Sequence, residues 1–158
     1  MTLCPDKTSR YWEDFSEGEV YLHALSHTIT RQENRDFCLL TENPHPLHLD
    51  DSYAVGTRYG KIVVAGTFVL SLAVGLSVPD ISISAIANLE YDRVIHHRPV
   101  FIGDTIHAQS QILQITASTH NKPQGVITVE TLAFNQKDEL VLSFIRKVLL
   151  PKRTERTL

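Results

Sequence analysis

Two histidines and an asparagine stand close together in a proline-containing stretch of this 158-residue chain. Asn43, His45 and His48 follow an apolar segment, and prolines occupy positions 44 and 46 between them. Histidine transfers protons near neutral pH, and proline fixes the backbone that carries it. The stretch therefore predicts a small enzyme site rather than a solvent loop, with a plain connector as the alternative.

The same stretch allows two further interpretations. His45, His48, Asp50 and Asp51 have the ligand types that divalent ions accept, but the intervening prolines and the missing second cluster argue against a metal. Asp50 and Asp51 are expected to cap a short helix through Tyr53. His45 either assists proton transfer or is a structural histidine that bridges the turn.

Composition favours one globular domain spanning residues 1–158, because 42% of the residues are apolar and 21% are charged. The net charge is −3, and no basic block occurs apart from Lys152, Arg153 and Arg156 near the end. We expect those residues to be a solvated end and the protein not to bind nucleic acid. Cys4 and Cys38 form no disulfide or zinc pattern, and no secretory signal is recognisable, which favours the cytoplasm.

Residues 62–79 carry no charge and are long enough to be tested as a membrane span. The run contains glycine, serine and threonine, ends on Pro79 and is followed by strand-like sequence. It therefore predicts a helix over about 64–77, buried on every side in a protein core, and no membrane contact.

The remaining pattern predicts an α+β fold. A strand is expected over 20–28, and a capping box formed by Thr30 and Glu33 predicts a helix over 31–40. After Pro79 the apolar period changes to two, which predicts a strand in which Ile83, Ala85, Ala87, Leu89 and Tyr91 share one face. Further strands over 104–118, 125–135 and 140–150, with turns at 120–123 and 136–139, complete an antiparallel meander that can curve around the apolar helix.

Six segments of the chain and the helix that begins at Thr30, in this order and spacing, resemble the MaoC-like dehydratases, also called (R)-specific enoyl-CoA hydratases. The six segments are residues 12–18, 43–50, 53–54, 58–60, 64–66 and 99–106. The resemblance implies the hot-dog fold, in which a curved sheet wraps around a long central helix. It also implies an acyl-CoA hydratase with no metal and no cofactor beyond the coenzyme A that its substrate carries.

In that family an aspartate five residues before a histidine holds the water that adds to the double bond. His48 matches the histidine, Asn43 stands in place of the aspartate, and His45 stands in place of the motif's asparagine. Because an amide cannot act as a base, His48 is expected to transfer the proton while Asn43 holds the water. Gly66 begins the apolar helix, and its free N–H is expected to donate to the thioester oxygen, as in the family, with Val64 and Ala65 lining the substrate site.

Asn43 also suggests a substrate. A carboxylate on the carbon that receives water would repel an aspartate but not an asparagine. We therefore favour the mesaconyl-CoA and itaconyl-CoA hydratase branch, which would form citramalyl-CoA, with Arg58, Arg93 and Arg98 as candidate carboxylate partners.

Three alternatives stay open. They are a general (R)-specific enoyl-CoA hydratase, a hot-dog thioesterase and a non-catalytic acyl-CoA-binding subunit. His96 and His97 are interpreted as a strand end. The exposed edges of a single curved sheet favour a homodimer or a higher oligomer.

Overall fold

A computed structural model of the chain describes residues 10–117 and 123–153. Cys4, Arg156 and most of the predicted turn at 120–123 lie outside this part of the chain. The described strands are β1 (Val20–Thr28), β2 (Ala87–His96), β3 (Thr105–Ala117), β4 (Gln124–Phe134) and β5 (Leu140–Pro151). The α-helices are α1 (Arg31–Leu40), α2 (Pro46–Leu49), α3 (Asp51–Val55) and α4 (Gly66–Ser77).

The strands form one antiparallel sheet in the order β1-β3-β4-β5-β2, and α4 packs against it. Along β4, residues alternate between fully and partly buried because alternate side chains face α4. The core beside α4 consists of small and branched apolar side chains from the helix and from the facing strands. It includes Val69, Ala73, Leu76, Ile106, Ala108, Ala133, Leu142 and Phe144. The predicted α+β architecture is thereby confirmed. The predicted meander holds only for β3, β4 and β5, because β2 pairs with β5 and β1 pairs with β3.

The predicted capping box begins α1. The Thr30 hydroxyl accepts from the Glu33 N–H at 3.2 Å, and the Glu33 carboxylate accepts from the Thr30 N–H at 2.8 Å. That backbone hydrogen bond lowers the pKa of Glu33. Both ends of α1 lie where the sequence predicted them.

The central helix begins at Gly66, as the expected role of its N–H required, and two residues later than the apolar run alone predicted. The Val64 N–H donates to the Val100 carbonyl at 2.8 Å, and the Ala65 N–H donates to the Asn34 side-chain oxygen at 2.9 Å. These contacts hold the two residues extended, so helical geometry starts at Gly66.

The expectation that the central helix is buried on every side is wrong for the single chain. Thr67, Ser71 and Gly75 are exposed. They are four residues apart and form one stripe along the helix. One side of α4 therefore faces away from the sheet.

The start of the second strand was also predicted wrongly. After α4 the backbone continues into a π-helical turn, Val78–Ser82, which buries Asp80 and Ile81. Ile83 and Ala85 precede β2, which begins at Ala87. The residues predicted to share one face therefore lie in the strand only from Ala87 onward, and the β2 residues after Ala87 are all exposed in the single chain.

The two basic residues at the described carboxyl end are not simply solvated, contrary to the expectation from sequence. Arg153 pairs with Asp14. The Lys152 ammonium lies 4.4 Å from the ring centroid of Trp12. Both contacts attach the chain end to the N-terminal segment, which covers a second core cluster near the end of α4.

Within residues 10–117 and 123–153, no helix is long and apolar enough to cross a membrane. The same described residues contain no group of three or more histidine, cysteine or acidic side chains arranged to hold a metal ion.

A buried polar chain connects the π-helical turn to the sheet. The Asp80 carboxylate accepts from His23 Nδ1 at 2.8 Å, and His23 Nε2 lies 2.8 Å from the Ser110 hydroxyl. Ser110 in turn lies 2.8 Å from the Thr131 hydroxyl. These four side chains are buried, so each contact replaces a hydrogen bond to water that the fold removes.

Replacing Asp80 by alanine should therefore lower the free energy of unfolding by about 3 kcal/mol, because it leaves His23 buried without its carboxylate. Urea denaturation of D80A and of the exposed control D36A would measure the difference. Equal stabilities of the two variants would contradict a structural role for this chain of contacts.

Candidate active site

The His48 side chain is oriented by the backbone that precedes α4. His48 lies on α2, and its Nδ1 is 2.7 Å from the Val63 carbonyl oxygen. Because a carbonyl only accepts, Nδ1 must carry a proton. In the neutral imidazole this leaves the Nε2 lone pair available as a proton acceptor.

The buried side chain of Asn34 joins His48 to α4. Its Nδ2 donates to the His48 carbonyl at 2.9 Å, while its Oδ1 accepts from the Ala65 N–H at 2.9 Å. Asn34 is 1% exposed and lies on α1. One amide thus positions both the residue that carries the imidazole and the residue that precedes the helix.

The amino end of α4 offers free backbone donors. Ala65 is the N-cap residue and supplies no side-chain acceptor to the first turn. The Gly66 N–H is at the first helical position, where an α-helix has no internal acceptor, and the helix dipole makes this end positive. The site can therefore bind a developing negative charge at Gly66.

The His96 ring fills the space beside Gly66. A Cβ atom on Gly66 would lie 2.8 Å from the His96 Cε1 atom and 3.0 Å from Nε2. Position 66 consequently has no room for a side chain while His96 keeps this position. Partial burial, followed by the neighbouring His97, lowers the pKa of His96.

These groups border one cavity of about 280 Å³. Its lining contains three histidines, two arginines and one tyrosine, together with apolar residues, and no acidic side chain. The lining residues are His48, Arg58, Tyr59, Val63, Val64, Gly66, Val69, His96, His97, Arg98, Pro99 and Val100. The cavity therefore combines one oriented imidazole, a helix amino end and fixed positive charge.

The two arginines differ in what holds them. Arg58 donates to the Tyr59 hydroxyl at 2.7 Å, while Arg98 lies 3.9 Å from a Glu139 carboxylate oxygen and remains largely exposed. Neither guanidinium has a close carboxylate partner inside the cavity lining. Both are placed to meet an anionic group of a ligand.

The other predicted site residues shape the loop. His45 Nδ1 accepts from the Leu47 N–H at 3.1 Å and so caps α2, as its structural interpretation required. The Asn43 Oδ1 accepts from the His45 N–H at 3.3 Å, and Asn43 does not line the cavity. Asp50 caps α3, as predicted, whereas Asp51 pairs with Arg31 instead.

Arg93 does not join the other predicted arginines. It lies in a bulge of β2, with a positive φ of 49°, and borders a different surface depression. Ala65 is fully buried behind the cavity and is not part of its lining. The geometry therefore supports Arg58, Val64 and Arg98 as neighbours of His48 and Gly66, but not Arg93.

Sequence reasoning missed two residues. His96 is the last residue of β2, so its interpretation as a strand end is confirmed, but its contact with Gly66 was not foreseen. The two adjacent histidines at positions 96 and 97 were the available signal for a polar site there. Asn34 was treated as an ordinary residue of α1. A buried asparagine within an otherwise amphipathic helix has no local signature, so only the fold could identify its partners.

The structure is an antiparallel sheet covered by one helix, with a cavity at the amino end of that helix. This arrangement defines the class of protein, which is the hot-dog fold. A conserved hypothetical protein from Mycobacterium tuberculosis, described as having a double hot-dog fold, aligns with a TM-score of 0.85 at 23% identity, covering 95% of this chain and 46% of that one. A MaoC domain protein from Chloroflexus aurantiacus, described as a putative dehydratase, aligns with a TM-score of 0.90 at 29% identity. The alignment covers 99% of this chain and 44% of that one. The predicted fold is thereby confirmed.

The chain belongs to the MaoC-like domain family, whose pattern matches residues 14–133. It is 35% identical over 144 residues to the mesaconyl-CoA hydratase of Cereibacter sphaeroides, covering 91% of this chain and 42% of that protein. It is 32% identical to the β-methylmalyl-CoA dehydratase of Chloroflexus aurantiacus, and the match covers 90% of this chain and 40% of that protein. It is 30% identical to the (R)-specific enoyl-CoA hydratase of Aeromonas caviae, and the match covers 80% of this chain and 90% of that protein. The chain thus spans less than half the length of the first two relatives.

Replacing Asn34 by leucine removes both hydrogen bonds at similar volume. We expect the free energy of unfolding to fall by about 1–3 kcal/mol, since the freed Ala65 N–H is buried. Without Asn34, His48 is held by its Nδ1 contact to Val63 but no longer through its own carbonyl, so its ring should become more mobile. Thermal melts would measure the loss of stability, and NMR of the imidazole would measure the mobility of the ring. The matched control is Q32L on the exposed face of the same helix. If N34L and Q32L had the same stability and the same imidazole mobility, the positioning role would be refuted.

Proposed function

We propose that this protein adds water across the double bond of an enoyl-CoA thioester that carries its own carboxylate. The observation that supports this is the cavity lining, which joins His48 and the Gly66 N–H to two arginines without any acidic side chain. A neutral enoyl chain has no anionic group of its own for these arginines to bind. A dicarboxylic acyl group would place its free carboxylate among them.

His48 would transfer the proton. Its Nε2 accepts a proton from water as the water oxygen forms a bond to Cβ, and the alkene electrons move toward the thioester oxygen. The Gly66 N–H stabilises the enolate that develops there. His48 then returns the proton to Cα, so one water is added and no cofactor is consumed.

The departure from the family's aspartate fits this scheme. The Asn43 oxygen accepts from the His45 N–H, and His48 is the residue of the 43–50 stretch that lines the cavity. An aspartate near a substrate carboxylate would be disfavoured in a cavity of reduced dielectric. We propose that His48 works alone as the base and that Asn43 mainly shapes the loop that carries it.

Mesaconyl-CoA is our preferred substrate, supported by the names of two relatives. Water addition at the carbon bearing the carboxylate forms either β-methylmalyl-CoA or citramalyl-CoA, depending on which carboxyl group carries coenzyme A. The sequence pattern alone favoured citramalyl-CoA, whereas the Chloroflexus relative's name favours β-methylmalyl-CoA. Because the two products are isomers of equal mass, proton NMR of the methyl group must distinguish them.

The test compares mesaconyl-CoA with crotonyl-CoA, which lacks the second carboxylate. We expect hydration of mesaconyl-CoA, and H48A should lower kcat by at least about 100-fold. R98Q should raise KM for mesaconyl-CoA and leave KM for crotonyl-CoA nearly unchanged, because only the former carries the second carboxylate. Absorbance of the conjugated thioester and product NMR measure both effects.

Leu113→Ala, on β3 away from the cavity, is the matched control and should keep the wild-type rate. Preference for crotonyl-CoA would instead support the general (R)-specific enoyl-CoA hydratase. Release of free coenzyme A would support a thioesterase. Thermal stabilisation by acyl-CoA without any product would indicate a binding subunit.

We also propose that the chain forms a homodimer through β2. This strand lies at one edge of the sheet, and four of its apolar side chains are exposed in the single chain: Leu89, Tyr91, Val94 and Ile95. An unpaired, apolar edge strand is an efficient template for a second strand. The double hot-dog fold of the mycobacterial protein supports a second copy as the occupant.

Leu89→Glu should therefore shift the chain from dimer to monomer at micromolar concentration, since it places a charge on the proposed interface. Light scattering coupled to size exclusion would resolve the masses against the 17.8 kDa of one chain. Leu22→Glu, on β1 at the opposite sheet edge, is the control and should keep the wild-type mass. A wild-type monomer would refute the proposal.

A further inference from the structure

We infer that His96 donates a second hydrogen bond to the thioester oxygen, alongside the Gly66 N–H. This role rests on the proposed hydratase function and deepens it, because it adds a donor where charge develops during water addition. An imidazole that acts in this way transfers no proton and remains neutral throughout the reaction.

The position of His96 supports this role. Its ring packs against Gly66, the first residue of α4. Cε1 and Nε2 of the ring are the atoms nearest to the position that a Cβ atom would take at residue 66. The ring also borders the same cavity as His48. An oxygen bound at the Gly66 N–H would therefore lie beside the imidazole edge.

The other histidines of the cavity are bound to other groups, and the two arginines are assigned to the carboxylate of the proposed substrate. His97 Nε2 lies 2.8 Å from the Ser143 hydroxyl, the Arg58 guanidinium holds the Tyr59 hydroxyl, and His48 Nδ1 is bound to the Val63 carbonyl. Arg98 lies toward Glu139. Apart from the chain neighbours of Gly66, His96 is thus the described side chain nearest to the Cβ position of Gly66, and its ring carries a donor.

The surroundings of His96 favour the neutral imidazole. Partial burial and the nearby His97 lower its pKa, the cavity also holds His48, Arg58 and Arg98, and no acidic residue lines it. The two arginines disfavour a charged His96, as does the positive end of α4. A neutral imidazole keeps one N–H, which is sufficient for a hydrogen bond to an oxygen.

The test uses two replacements at the same position in the full chain. His96→Phe keeps a planar ring and removes the donor, so kcat for mesaconyl-CoA should fall roughly 100- to 1,000-fold with little change in KM. His96→Gln keeps a neutral donor and should retain activity within about tenfold of the wild type. His107→Phe, on β3 outside the cavity, controls for the loss of a histidine.

The glutamine variant separates a hydrogen-bond donor from a proton carrier. If His96 transferred protons, His96→Gln would be as inactive as His96→Phe, and one limb of the pH profile of kcat would disappear. If His96 only packed against Gly66, His96→Phe would stay active. Either result would overturn the inference.

A second readout does not depend on turnover. Methylsuccinyl-CoA, the saturated analogue, can be bound with its thioester carbonyl labelled with carbon-13. The carbonyl resonance should move downfield on binding to the wild type and to His96→Gln, and less so on binding to His96→Phe. If the wild type binds but hydrates nothing, the proposed function fails while this shift still tests His96. No downfield shift in the wild type would refute the donor role.

Discussion

The buried amide of Asn34 is the contact on which the site depends. It joins the carbonyl of His48 to the N–H of Ala65, two backbone groups far apart in sequence. Both would otherwise need a partner as water is excluded, since buried backbone groups are almost always hydrogen-bonded. By satisfying both groups at once, Asn34 fixes the distance between the imidazole loop and the first turn of α4.

Polar contacts also hold the other end of the central helix. The π-helical turn after α4 buries Asp80 against His23, and the fully buried Arg146 donates to the hydroxyl of Ser77 at 2.8 Å. Burial lowers the pKa of Arg146, while the carbonyl end of α4 favours its charge. Because apolar packing alone is non-directional, these hydrogen bonds define where the helix sits along the sheet.

This arrangement explains why the cavity can be cationic without a resident acid. The helix amino end, two arginines and three histidines meet there because the loop after α3 and the end of β2 approach the first turn of α4. The fold supplies the positive charge, and no acidic side chain of the cavity lining neutralises it. For the carboxylate-bearing substrate proposed above, a neutral, oriented imidazole would be a more suitable base in this cavity than a second carboxylate.

Much of the fold followed from local patterns, as the capping box of α1 and the antiparallel strands illustrate. The exceptions have physical causes. The start of β2 was misplaced because the burial of Asp80 against a distant histidine outweighs a two-residue apolar period. The exposed side of α4 was unexpected because uncharged residues do not reveal which face meets the sheet. Arg93 was grouped with the site because a bulge that turns it elsewhere leaves no mark in the sequence.

The sequence by itself determined the elements, the family and the loop that carries His48, because these depend on residue types at short spacings. Only the tertiary structure decided which side chains surround that histidine. Asn34 lies on α1, Arg58 lies in the loop after α3, and His96 and Arg98 lie at and just after the end of β2. Their convergence results from hydrogen bonds and packing between residues far apart in the chain, which no local pattern encodes.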